Sequence, residues 1–113
     1  MFAAEALTGT ERSIITYAET CLVDYGGLLE GRRMNGEDIA ALRKFQDAGL
    51  LTFGRIPFKV METLVRVERH PTHWVTFSDA AWNLAHALRR RRAQADSASR
   101  KKVDAALAER EAA

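Results

Sequence analysis

The sequence predicts a mainly α fold with a small β-wing and a long C-terminal helix. Three observations predict it. The segment 35–48, NGEDIAALRKFQDA, has helical spacing and runs into Gly49. LLTFGRI directly after it, and THWVTF further on, read as short strands. From Ser78 onward there is neither proline nor glycine, in a stretch rich in Ala, Leu, Arg and Glu.

The elements follow in order. Thr8 and Glu11 have the spacing of a capping box, and behind them Ile14, Ala18, Cys21, Leu22 and Tyr25 repeat on one face of a first helix that Gly26 and Gly27 stop. LLEGRRM is too short for a full helix and carries Gly31 in its middle, so it reads as an extended connector or short strand. Asn35 caps the next helix, with Asp38 placed to reach back to it. Ile39, Leu42 and Phe45 face inward there, while Glu37, Arg43, Lys44 and Asp47 point elsewhere. A strand from Leu51 stops at Ile56, because Pro57 has no amide to donate.

Residues 57–73 admit two readings. Val65 and Val67 alternate with Arg66 and Glu68 as in a strand over Thr63 to Arg69, whereas Val60, Leu64 and Val67 share a helical face. The Val-rich composition and the turn-like His70-Pro71-Thr72-His73 favour strand for the second half, with a helical turn in the first. Ser78 then caps the last helix, whose apolar stripe (Trp82, Leu84, Ala85, Leu88) serves its first three turns. Past Arg92 the stripe thins to Ala95, Ala98, Val103, Ala106 and Leu107. Residues 1–93 are thus expected to form the domain, and 94–113 a charged, alanine-rich continuation of the helix, either solvated or paired with a second copy. The expected core joins Ile14, Ala18, Cys21 and Leu22 to Ile39, Leu42 and Phe45, and to Trp82 and Leu88.

With 113 residues the chain has room for one modest core, and 47% hydrophobic with 28% charged residues is the composition of an ordinary globular protein. No apolar run reaches the roughly 20 residues of a membrane helix, and MFAAEALTGTE has no basic stretch before an apolar one, so a cytoplasmic protein without membrane contact is expected. Cys21 is the only cysteine and falls on an apolar helix face, as a small hydrophobe does. The net charge is only +2, but it is sorted along the chain: −4 over residues 1–30, +3 over 31–77, +5 over 78–102 and −2 over 103–113. A local basic surplus attracts phosphate even on a nearly neutral molecule.

Enzymatic chemistry finds no motif. There is no glycine-rich phosphate loop behind a strand, no GxSxG turn and no His/Asp pair with a serine in a known spacing. His70 and His73 are two potential metal ligands where zinc needs three or four, and Cys21 lies in another element, so neither metal nor cofactor is expected. Arg89 to Arg92 spread around a helix, with at most two sharing a face, and such runs commonly cover apolar surface with their stems.

IAALRKFQDAGLLTFGRI followed by THWVTFSDAAWNLAHALRRRRA resembles the winged helix-turn-helix proteins of bacteria and their phages, and is broadly similar to MarR-like regulators. The resemblance covers Thr8 to Ala93. It implies a winged helix-like domain, a reading helix at 35–48 in the major groove, a basic wing and a homodimer on a palindromic site. It would leave Glu37, Ala40, Ala41, Arg43, Lys44 and Asp47 exposed on the reading helix, with Arg43 and Lys44 at base edges or phosphate, Arg32 and Arg33 on the backbone, and Arg55, Lys59, Arg66 and Arg69 on the wing. Two features depart from the family pattern: little room for a helix before the reading helix, and carboxylates at Glu37 and Asp38 in its first turn. The expected function is therefore that of a DNA-binding transcriptional regulator with double-stranded DNA as partner. The alternative is a winged-helix protein-interaction module of a phage or plasmid, docking on a protein partner.

Overall fold

Thr8 and Glu11 do close a capping box: the Thr8 amide donates to Glu11 Oε1 at 2.9 Å and the Glu11 amide to Thr8 Oγ1 at 3.1 Å. In the computed structural model, which describes residues 2–95 and 97–112, this box opens helix α1, Gly9–Tyr25, after a 3-10 turn at Ala4–Ala6. There follow strand β1 (Leu28–Glu30), a 3-10 turn (Gly31–Arg33), helix α2 (Gly36–Asp47), strand β2 (Leu51–Arg55), helix α3 (Phe58–Leu64), strand β3 (Pro71–Phe77), and helices α4 (Asp79–Gln94) and α5 (Ala98–Ala112). The protein is mainly α with one small antiparallel sheet, as its sequence leads one to expect.

The sheet has the order β1-β3-β2, so the last strand in sequence lies in the middle. β2 pairs with β3 from Leu51 opposite Phe77 to Arg55 opposite His73. β1 pairs on the other side, Leu28 with Trp74 and Leu29 with His73, and the register then slips so that Glu30 meets Pro71. The slip gives Thr72 an unpaired place, and its hydroxyl accepts the Gly31 amide at 2.7 Å. Gly27 feeds β1 into this pairing with φ 81°, and a Cβ there would stand 2.7 Å from the Val75 carbonyl oxygen, so only glycine fits.

The core lies between the sheet and the helices. Ile14, Ile15, Ala18 and Cys21 of α1 meet Leu42 and Phe45 of α2, Leu29, Leu51 and Val75 of the sheet, and Ala81, Leu84, Ala85 and Leu88 of α4. Phe2 sits edge-on to Phe45, with ring centroids 4.9 Å apart. The Gly49 turn closes α2 by returning the Leu50 amide to the Phe45 carbonyl at 2.9 Å with φ 77° at Gly49.

Four expectations need correction. Trp82 is 38% exposed rather than core, resting edge-on against Phe77 at 5.3 Å on the rim of α4. Ala41, expected outside, is buried, since the α2 stripe is wider than the Ile39/Leu42/Phe45 line. No strand forms over 63–69: α3 occupies Phe58–Leu64 and a turn follows, with the Arg66 amide donating to the Arg69 carbonyl at 2.8 Å. The central strand β3 is paired on both sides, by β1 and β2, and this segment stays outside the sheet as part of the connection between β2 and β3. Val67 consequently stands 97% exposed. Finally, the C-terminal helix is not continuous. Ala95 is extended (φ −68°, ψ 122°), and Ser97 caps a new helix by accepting the Arg100 amide at 3.1 Å. The described residues after Arg92 are all exposed and bury nothing that would hold the helix straight, so a capping serine suffices to restart it.

Candidate nucleic-acid interface

Eight basic residues are candidates for phosphate or base contact, and the structure sorts them by the partners they keep. Three gather around Glu30. This carboxylate is only 1% exposed at the end of β1, and it takes Arg32 at 2.9 Å, Arg33 at 3.1 Å and the His70 amide at 2.8 Å. Burial pushes its pKa up, but the His70 amide and the charges of Arg32 and Arg69 outweigh that and hold it below the ordinary carboxylate range. Arg69 also donates to the Leu28 carbonyl and lies over the Tyr25 ring, 3.6 Å from its centroid. Arg32 reaches further, to the Glu68 carbonyl at 2.9 Å. Arg32 and Arg69 tie the β2–β3 connection to β1, and Arg32 and Arg33 remain over half exposed.

Lys44 belongs to a second group. Its Nζ contacts Glu11 Oε2 at 2.7 Å and lies 5.7 Å from the centre of the Phe2 ring, joining α2 to the start of α1. The Lys44 hydrogen bond, together with the Thr8 amide, lowers the Glu11 pKa against the effect of burial. Removing Lys44 leaves a buried carboxylate short of its cation. Lys44→Ala should therefore cost about 1 kcal/mol in urea unfolding, a modest loss because the ammonium is largely in water, while Arg43→Ala should stay within about 0.5 kcal/mol of the parent.

Arg43 and Arg55 form the third group. α2 and the edge of the sheet leave a groove between them, lined on the helix by Asn35, Ile39, Arg43 and Gln46, and on the strands by Phe53, Arg55 and His73. The spacing Ile39, Arg43, Gln46 is one helical face, and Arg55 and His73 stand opposite each other on the same face of the sheet. Gln46 pins the wall by accepting the Phe53 amide at 2.8 Å. Among the described residues neither Arg43 nor Arg55 has a carboxylate partner.

His73 adds an imidazole to this groove. Thr72 Oγ1, which accepts from Gly31, shares a hydrogen bond of 2.7 Å with His73 Nδ1, and the ring tautomer sets its direction. Burial first, and then the nearby Arg55 charge, hold the imidazole pKa below its usual value. Asp38 does not intrude, because its carboxylate accepts the Asn35 amide at 3.0 Å in a capping box; Glu37 stays exposed on the first turn. Lys59 is exposed on α3, and Arg66 folds back on the Thr63 and Val65 carbonyls.

The eight candidates thus do not share one surface. Arg43 and Arg55 meet in a groove, Lys44 faces the other side of α2, and Arg32, Arg33 and Arg69 surround Glu30. Sequence reasoning passed over Asn35, Gln46 and His73 as groove residues, and Glu11 and Glu30 as anchors. The Glu30 anchor had a signal: a lone carboxylate in the apolar run Leu28-Leu29 followed by two arginines. No family model matches this sequence, and no curated protein or solved structure matches it. Among the described residues there is no group of three or more metal-ligating side chains, and no helix is long and apolar enough to cross a membrane.

Proposed function

We propose that this protein binds duplex DNA as a winged helix-like reader, with α2 entering the major groove and the β2–α3–β3 connection acting as its wing. The observation that carries this reading is the groove itself: two arginines that have no acid partner among the described residues, Arg43 on α2 and Arg55 on β2, flank hydrogen-bonding groups of Asn35 and His73. Guanidinium groups in that setting suit phosphate and guanine edges. The order helix, strand, helix, strand, connection, strand, helix supports it, with the 3-10 turn at Gly31–Arg33 standing where a helix-turn-helix places its first helix. A regulator of transcription is the role such a reader would fill. On this reading Arg32 and Arg33, over half exposed beside Glu30, would contact the DNA backbone upstream of α2.

The test is anisotropy of a labelled random duplex over a salt series. Binding at low salt that falls linearly in log K against log salt, with a slope near −0.9 per phosphate neutralised, is the expected result. One observation favours the second reading, a protein-interaction module: Phe58 and Val67 are exposed on the wing, where a partner's apolar surface could cover them. Absence of duplex binding at low salt would move the balance to that reading.

A further inference from the structure

A second groove, between α1 and α4, gathers positive charge with no acid to balance it among the described residues. It encloses about 750 Å³, is floored by Tyr17 and Leu88, and is rimmed by Arg12, Arg91 and Arg92, with Ser13 beside them. Every charged side chain lining it is an arginine. Arg12 donates to the Leu7 carbonyl at 2.6 Å, and among the described residues none of the three has a carboxylate partner. Arg89 behaves differently. It reaches from α4 to the Glu19 carboxylate of α1 and donates to the Thr20 hydroxyl at 2.7 Å, clasping the two helices together beyond Tyr17. Three guanidinium groups around one opening repel one another until an anion sits among them.

Dimensions and chemistry both limit the occupant. The α1 wall, from Gly9 to Tyr17, spans about 12 Å and the α4 wall, from Leu88 to Arg92, about 6 Å, whereas a docked helix of three turns needs about 16 Å. The volume falls within the roughly 300–1,000 Å³ of small-molecule sites. Guanidinium forks match phosphate oxygens two at a time, and a hydroxyl such as that of Ser13 donates to a further one. Three arginines call for more than one negative charge. The Tyr17 hydroxyl already accepts the Glu30 amide at 3.1 Å, which leaves its ring, with Leu88, as an apolar floor for a flat group attached to the phosphates.

We propose that this groove binds a compact polyphosphate, with Arg12, Arg91 and Arg92 holding the phosphate oxygens. The phosphates are either a free chain or the tail of a nucleotide, and the two sources differ in whether the floor of Tyr17 and Leu88 is covered. The site stands whether or not the α2–β2 groove reads DNA, because the two grooves share no lining residue.

Isothermal titration calorimetry on the full chain, at low salt and without divalent cations, tests the site with inorganic tripolyphosphate and with ATP. The parent should bind at least one of them, Arg91→Ala/Arg92→Ala should weaken that binding about tenfold or more, and Arg43→Ala/Arg55→Ala should bind as the parent does. Tighter binding of ATP would assign the site to nucleotides, whose base then covers the floor, and equal or tighter binding of tripolyphosphate would assign it to the phosphate chain alone. Arg91 and Arg92 are exposed, so their variant should keep the parent's circular dichroism, melting and duplex affinity. Binding of neither anion, a groove variant that binds as the parent does, a loss of binding on Arg43→Ala/Arg55→Ala instead, or a loss of duplex affinity equal to the loss for polyphosphate would each overturn the proposal.

Discussion

Phe45→Ala should destabilise the domain by about 3–5 kcal/mol, the cost of opening a phenyl-sized cavity in a packed core. Phe45 has no exposed surface. It comes from the same turn of α2 as Leu42, packs among residues of α1 and the sheet, and supports Phe2, which in turn lies beside Lys44. Its carbonyl also receives the Leu50 amide, so the side chain sits where α2 turns into β2. A loss of this size is a large part of the roughly 5–15 kcal/mol that holds an ordinary domain together. Urea unfolding followed by tryptophan fluorescence would read it as a lower midpoint, and a midpoint equal to the parent's would show that α2 is phased differently.

The second large effect is at Glu30. Glu30→Gln keeps the shape and an acceptor for the His70 amide, but removes the charge that Arg32 and Arg33 contact. The expected cost is about 2 kcal/mol, below that of a fully buried ion pair because both guanidinium groups are largely in water. The pH dependence has a definite sign. Glu30 and Glu11 both have lowered pKa values when folded, so the unfolded chain takes up protons first as pH falls. Their stabilisation is complete above the ordinary glutamate value, roughly 4.3, and is lost as pH falls below it through each lowered value. Glu30→Gln should flatten that acid decline and leave the part due to Glu11. A variant with the parent's full decline between about pH 5 and pH 2 would contradict this assignment.

Local rules made most of the fold legible. Thr8/Glu11 and Asn35/Asp38 are capping boxes in sequence and in space, and Gly26, Gly27 and Gly49 adopt the positive φ that helix stops require. The strand order was out of reach, because pairing β3 between β1 and β2 depends on contacts more than 40 residues apart in sequence. Alternating Val65 and Val67 misled for a related reason: alternation over a few residues does not say whether a segment joins a ladder, and this one pairs with no strand. The break at Ala95 was hidden by strong helix formers on both sides, although Ser97 supplied the capping hydroxyl that marks a restart.

The candidate site was legible in composition and illegible in partnership. A basic surplus over 31–77 can be counted, but not that Lys44 serves Glu11 or that Arg32, Arg33 and Arg69 serve Glu30, since those pairs join different elements or depend on how deeply the acid is buried. Adjacent residues on α2 diverge by about 100° around the axis, which sends Arg43 into the groove and Lys44 toward α1. Arg43 and Arg55 come together through the β2–β3 ladder and the packing of α2, neither of which a motif records.

The groove claim is tested most directly by comparing the salt dependence of duplex binding in the parent and in the Arg43→Ala/Arg55→Ala variant, whose fold rests on neither side chain. The variant should melt as the parent does, bind at least about tenfold more weakly at low salt, and show a slope of log K against log salt that is shallower by about 0.9 for each phosphate it no longer neutralises. A variant with the parent's affinity and slope, or a parent that binds no duplex at low salt, would contradict the assignment of this groove to DNA.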